Sequence, residues 1–273
     1  MSFDQREGSI ALGQPIRLYK FSRGVIRWLY NSSDRDITYN NQVFRALVGG
    51  ISDRGIQQSG DAKADALTIT APSDISVAQP FRTFPPSERI ELVIFDMHYG
   101  DAEARLAWPG RIASVNWPSL DSCRIECVTR DAEMSEPGLT DVYSRMCTAR
   151  LGDNRCNVDL NPYRITTTLQ AQDGQTVSAP AFAGYPDGWF AAGWLEWSIG
   201  SGEYDRRHIE QHIGTDLQLL GGTAGIPAGA TVRVYPGCDF LAETCDGKFD
   251  NLDNMRAIPH LQGKSPFDGD QVW

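Results

Sequence analysis

The chain has 273 residues, 41% hydrophobic and 22% charged, the balance of a globular protein with room for two domains of ordinary size. Its formal net charge of −10 argues against binding to nucleic acid by phosphate neutralisation, which needs clustered Lys and Arg. No run approaches the roughly 18 apolar residues of a membrane helix, and residues 1–7 lack the basic-then-apolar pattern of a secretory signal. A reducing compartment is therefore expected, where cysteines stay thiols or bind metal.

Residues 1–135 read as β. Residues 66–71, 89–95 and 123–128 alternate apolar and polar side chains, the period of a half-buried strand. Residues 106–115 read as two strands broken by a turn at Pro109-Gly110. Residues 75–83 form one short helical candidate, stopped by Pro85-Pro86. Strands that follow one another without long intervening helices argue against a parallel βαβ fold. From Glu136 to Cys147, the spacing of Leu139, Val142, Tyr143 and Met146 predicts a short amphipathic helix that ends at Cys147. A second β-rich block spans 163–237, with strands over 165–169, 206–213, 217–220 and 230–235 and an aromatic stretch from Trp189 to Trp197. From Pro236 on, the tail reads as irregular. The expected segments are thus 1–135, 136–162, 163–237 and 238–273.

Six cysteines stand out, four of them as two remote pairs. Cys147 and Cys156 have eight residues between them, and Cys238 and Cys245 have six. Both pairs lie in Gly-, Asp- and Asn-rich loops, and four loop thiolates are what a Cys₄ metal or iron–sulfur site requires. The gaps are wider than the two to four residues usual in zinc knuckles, and the tight Cys-x₂-Cys run of bacterial ferredoxins is absent. Spacing alone does not choose the metal. If all four meet, residues 157–237 become a closed excursion. Closing it costs roughly 4 kcal/mol of chain entropy, against the 10–16 kcal/mol or so that structural zinc supplies in small peptides. Backbone N–H groups of Gly237, Asp239 and Gly247 are expected to face the sulfurs.

The other chemistry-bearing residues have plainer readings. Cys123 and Cys127 flank Ile125 on one face of an alternating strand and read as small buried hydrophobes. His208 and His212 have helical metal-pair spacing but sit in a strand context without the following Glu of a zincin, so they read as a solvated strand face. His98 and His260 stand far apart, and no Gly-x-Ser-x-Gly, phosphate loop or dinucleotide fingerprint is present. The acidic stretches 61–65 and 268–270 read as solvated loops. Trp189, Trp194 and Trp197 read first as core, with a subunit contact or sugar surface as the other use.

Taken in order, these features resemble the minor tail protein L family of long-tailed phages and the related baseplate hub proteins of gene transfer agents. The likeness rests on Arg89-Ile-Glu-Leu-Val-Ile-Phe-Asp96 and Trp108-Pro-Gly-Arg-Ile-Ala-Ser-Val115, then Val142-Tyr-Ser-Arg-Met-Cys147 leading to Leu151-Gly-Asp-Asn-Arg-Cys156. After a β insertion come Tyr235-Pro-Gly-Cys-Asp239, Cys245 and the asparagine-rich run 249–260. The resemblance implies a mainly β fold: a hub-type β-barrel or sandwich domain, a second inserted β domain and an irregular Cys-rich region. It implies that Cys147, Cys156, Cys238 and Cys245 hold a [4Fe–4S] cluster, with zinc as the alternative that spacing leaves open. It further implies a non-enzymatic tail-tip protein of the virion, assembled in the host cytoplasm. Its expected partners are two further copies of itself in a homotrimer around the tail axis, the distal tail protein and the central fibre or tip attachment protein. Two other functions compete with this reading. One is a zinc-stabilised virion protein that binds carbohydrate near Trp189–Trp197. The other is a cell-wall hydrolase that pairs a cysteine with His98 or His260.

Overall fold

The computed structural model describes residues 3–9, 13–56, 66–130 and 142–261. It divides into two compact units, Met1–Glu136 with Ile199–Asp205, and Pro137–Ser198 with Arg206–Trp273. The acidic stretches 61–65 and 268–270 and residues 136–141 of the expected helix lie outside the described residues.

The first unit is built on a nine-stranded sheet. A short helix α1 (Phe3–Glu7) precedes β1 (Pro15–Arg23), β2 (Ile26–Asn31), β3 (Ile37–Tyr39), β4 (Gln42–Ala46), β5 (Ser52–Asp53), β6 (Leu67–Pro72), β7 (Glu91–His98), β8 (Ala104–Asn116) and β9 (Ser122–Thr129). Their spatial order is β3-β4-β2-β1-β7-β8-β9-β6-β5. The pairings are antiparallel except for the brief β2–β4 contact. Alternation sorts β1 onto two faces. Tyr19 and Phe21 enter a core with Ile69, Leu92, Ile94 and Ile125, while Ile16 and Leu18 join Ile37, Phe44 and Met97 in a second cluster. Cys123, Ile125 and Cys127 are all fully buried on the same face, as their spacing predicts. The unit also holds a buried ion pair, in which Arg23 donates to Asp205 at 3.1 Å and Asp205 accepts the Ser87 N–H at 2.9 Å.

Two expectations fail here. The Pro109-Gly110 turn does not exist, because β8 runs unbroken through both residues, with Pro109 opposite Val93 and Gly110 opposite Leu92. Register shifts beside them absorb the irregularity. Gly110 is there for packing: a Cβ at this position would overlap the Trp108 ring and the Val128 carbonyl. Residues 75–83 form turns, with only a single 3₁₀ turn at Gln79–Arg82.

The second unit carries a seven-stranded sheet whose strands all lie between the two cysteine pairs in sequence. They are β10 (Ile165–Thr168), β11 (Ala171–Asp173), β12 (Thr176–Ser178), β13 (Trp194–Gly200), β14 (Glu203–Ile213), β15 (Asp216–Leu219) and β16 (Thr231–Tyr235). The order is β10-β16-β13-β14-β15-β12-β11. Val177, Phe182, Phe190, Leu195, Leu217, Val232 and Val234 form its buried interior. Residues 142–147 are irregular, so Cys147 does not sit at a helix end, and Val142, Tyr143 and Met146 are exposed. The tail is less irregular than expected, because α2 (Ala242–Phe249) forms there and carries Cys245.

Candidate metal centre

Each of the four paired cysteines is placed by a different local device. Cys147 lies in an irregular segment hydrogen-bonded to the C-terminal run. Its N–H donates to the Phe240 carbonyl at 2.8 Å, the Thr148 N–H to Arg256 O at 3.0 Å, and the Ile258 N–H to Ser144 O at 2.8 Å. The Arg256 N–H in turn donates to Cys147 Sγ at 3.3 Å.

Cys156 sits on a loop wound around one carboxylate. Asp153 accepts the N–H groups of Cys156 at 2.7 Å, Arg155 at 2.9 Å and Arg150 at 3.1 Å. What burial Asp153 has pushes its carboxyl up, but these N–H groups and the Arg155 charge outweigh that and hold it below the ordinary range.

Cys238 follows β16 after Pro236 and Gly237, and its sulfur accepts the Phe240 N–H at 3.4 Å. Cys245 is fixed by α2, whose N-terminal turn bonds the Cys245 N–H to Leu241 O at 3.0 Å. Its thiol donates to Asn251 O at 3.4 Å. Asn251 also donates its side-chain amide to Cys156 O at 2.6 Å.

Together Cys147, Cys156, Cys238 and Cys245 line one cavity, closed by Ala149, Leu151, Val158, Phe240, Phe249, Asn251, Asn254 and Met255. The space between atoms there is about 340 Å³, but only about 10 Å³ of it can take the centre of a water molecule, room for one water at most. Burial raises the Cys238 thiol, the Phe240 N–H lowers it, and Asp239, Cys156 and Cys147 raise it further. Burial, followed by Cys238, Cys147 and Cys156, pushes Cys245 up to about 11. Four thiolates therefore repel one another here unless a cation sits among them. Among the described residues, no group of three or more His, Cys, Asp or Glu is arranged to hold a metal ion.

One cation stands close by. Lys248 donates to the Trp189 carbonyl at 2.5 Å and the Gly237 carbonyl at 2.8 Å, with Nζ 4.5 Å from the Trp189 ring centroid. Burial lowers its pKa to about 8, against the pull of Cys238 and Asp239.

The N–H donors to sulfur are Phe240 and Arg256, with the Asn251 side chain 3.8 Å from Cys156 Sγ. Among the described residues, none of the hydrogen bonds to sulfur comes from the expected Gly237, Asp239 or Gly247. The Gly237 N–H bonds to Trp189 O at 3.3 Å, Gly247 is inside α2, and the Asp239 carboxylate caps Leu241 N and Thr244 Oγ1. Asp153 and Asn251 were missed by sequence reasoning, although an Asp three residues before a loop cysteine is the signature of a side-chain-capped turn.

The other candidates disperse. A register shift in β14 between Ile209 and Gln211 breaks the alternation, so His208 is exposed while His212 is buried, which corrects the solvated-face reading for His212. His98 is buried, with Nε2 at 2.9 Å from Glu7 and Nδ1 accepting the Gln14 N–H. His260 is exposed. Trp197 is buried beneath Arg207, Trp194 stacks on Tyr235, and Trp189 packs on Tyr185.

Comparison with known proteins fits this layout. Residues 22–159 match the family model of the baseplate hub protein, N-terminal attachment domain, and residues 188–265 match that of the phage conserved hypothetical protein BR0599. The first match contains Cys147 and Cys156, the second Cys238 and Cys245. An uncharacterized protein of Xylella fastidiosa (strain 9a5c) is 31% identical over 138 residues, 46% of this chain and 28% of the length of that protein. The fold is similar to a chain in the solved virion of a native gene transfer agent particle, with a TM-score of 0.80 at 21% identity, covering 96% of this chain and 93% of that one. No helix among the described residues is long and apolar enough to cross a membrane. The chain belongs to the baseplate hub protein family, and residues 22–159 are its N-terminal attachment domain.

Proposed function

We propose that the protein is a structural hub at the tip of a phage-type tail, and that Cys147, Cys156, Cys238 and Cys245 hold a [4Fe–4S] cluster that fastens its second unit. The observation that carries this reading is the cavity lined by two cysteine pairs from remote parts of a baseplate hub chain. The donor set fits such a group in its chemistry, although the cavity in this structure has room for only about one water. It offers four thiols, two of them raised by burial and mutual repulsion, and N–H groups directed at Cys147 and Cys238. A tetrahedral zinc needs its sulfurs about 2.3 Å from one point. The choice of iron–sulfur over zinc rests on the family resemblance and not on the geometry of the cavity. Bound, the cluster cross-links four chain positions and, with four protein thiolates, keeps no open place for a substrate. The chain's own residues supply the preassembled loops: the Asp153 turn, the Phe240–Cys147 bond and the start of α2.

The assembly is read as three copies around the tail axis, contacting the distal tail protein on one side and the central fibre on the other, in the virion. The gene transfer agent particle with the similar fold supports the setting. Co-expression with the distal tail protein of the same particle tests it. A stable complex with three copies of this chain is expected. A monomer that ignores the distal tail protein would overturn the hub assignment.

A further inference from the structure

We propose that Asn251 is the positioning residue of the four-cysteine centre: its amide presents Cys156 and donates to that sulfur, while its backbone seats Cys245. The proposal rests on the cluster reading above and concerns how this chain sets the stability and redox poise of the group.

Asn251 touches two ligands from opposite halves of the set. Nδ2 donates to the Cys156 carbonyl at 2.6 Å, across 95 residues of chain, and lies 3.8 Å from Cys156 Sγ. The Asn251 N–H donates to Cys245 O at 3.1 Å, and the Asn251 carbonyl accepts the Cys245 thiol at 3.4 Å. The residue is 9% exposed and follows Asp250, whose left-handed backbone (φ 47°) ends α2 and turns the chain back toward the sulfurs. The direction of its amide is also fixed. Asn254 Nδ2 donates to Asn251 Oδ1 at 2.7 Å, so the oxygen is taken and the NH₂ end must face Cys156.

Chemistry makes this contact specific. A neutral amide can satisfy a carbonyl and a thiolate at once because it carries two N–H donors. A carboxylate of the same shape has only acceptors and places negative charge against both. N–H groups aimed at cluster sulfurs stabilise the more reduced, more negative state, and their loss lowers the potential. Such outer partners are commonly worth 10- to 100-fold in metal affinity.

The test compares anaerobically purified full-length wild type with Asn251→Asp and Asn254→Ala. The readouts are iron per chain, reduction potential by EPR-monitored titration, and the half-life of visible absorbance in air. Asn251→Asp is expected to shift the potential to more negative values and shorten the half-life by about 10-fold. Asn254→Ala keeps the donor but frees the amide to flip, so a smaller shift in the same direction is expected, and this variant carries the test if Asn251→Asp does not fold. Iron-loaded wild type with folded variants at wild-type potential and half-life overturns the proposal. Wild type without iron overturns the cluster reading itself, and this proposal with it. The two failures are distinct because one appears in the wild type and the other only in the variants.

Discussion

The backbone N–H of Cys147 donates to the carbonyl of Phe240 at 2.8 Å, which ties the first cysteine pair to the segment between the members of the second. This bond and the Asn251 bridge bring the ends of a long excursion together through the polypeptide alone. In the proposed reading, a metal core would lock a geometry that the chain has already formed. Cys238→Ser removes a ligand but leaves these bonds in place. The expected result is loss of bound metal together with rapid proteolysis of the second unit, measured by limited digestion and mass spectrometry. Wild-type protection in the metal-free variant would show that the cysteines do not fasten this unit.

Gly237, next to Cys238, is a backbone crossing point. A Cβ there would overlap the Ala191 carbonyl, and one at Gly193 would overlap the carbonyl of Tyr235. Gly237→Ala is expected to destabilise the protein by about 1–3 kcal/mol or more, since the obstructing atoms are backbone and not the end of a flexible side chain. Gly184 has nothing within 4 Å of a built Cβ, so Gly184→Ala is expected to stay within about 0.5 kcal/mol. Thermal unfolding of both variants checks the contrast.

Sequence alternation and cysteine spacing made much of this legible, and the failures have identifiable causes. The strands around Ile69, Leu92 and Ile125 were readable because one face of each is buried, which imposes the period of two. The grouping of the two cysteine pairs was readable from their loop contexts, and the structure brings all four to one cavity. Helix α2 was not readable: only Cys245 and Phe249 are buried on it, Gly247 is a poor helix former inside it, and Leu241 is no N-cap. Pro109-Gly110 misled because the pair usually marks a turn, whereas here the glycine makes room for Trp108. His212 misled because a bulge, invisible in sequence, shifts the strand's face.

Asp153 is the keystone of the Cys156 loop. Asp153→Ala leaves the N–H groups of Arg150, Arg155 and Cys156 without their acceptor and is expected to cost about 1–2 kcal/mol. The variant should retain less metal, and Cys156 should alkylate faster than Cys238, as followed by mass spectrometry. Unchanged Cys156 reactivity would mean that the loop is held by other means.

The first unit should be sensitive to acid through Asp53. Its side chain is 2% exposed, is paired with Arg17 and accepts the Tyr19 hydroxyl at 2.7 Å. Burial pushes its carboxyl up, but the bonds from Arg17, Tyr19 and the Gly55 N–H outweigh burial and hold it below its ordinary value of 3.8. The folded state thus binds the proton more weakly than the unfolded chain. The stabilisation is fully present above about pH 4 and is lost as pH falls through the lower folded value. Asp53→Ala removes one of the two carboxylates that pair with Arg17, Asp96 remaining at 3.1 Å, and leaves the Tyr19 hydroxyl without its acceptor, so it is expected to cost about 1–3 kcal/mol at neutral pH, with a flatter stability profile between pH 5 and 3 in denaturant titrations. An equally steep profile in the variant would place the acid sensitivity elsewhere.

The central claim, that four remote cysteines share one inorganic core, is tested most directly by iron and acid-labile sulfide analysis of the anaerobically purified chain together with its visible spectrum. The account predicts a brown protein with broad visible absorbance and about four irons per chain, lost when any one of Cys147, Cys156, Cys238 or Cys245 becomes serine. A colourless protein holding a single zinc, or no metal at all, would contradict it.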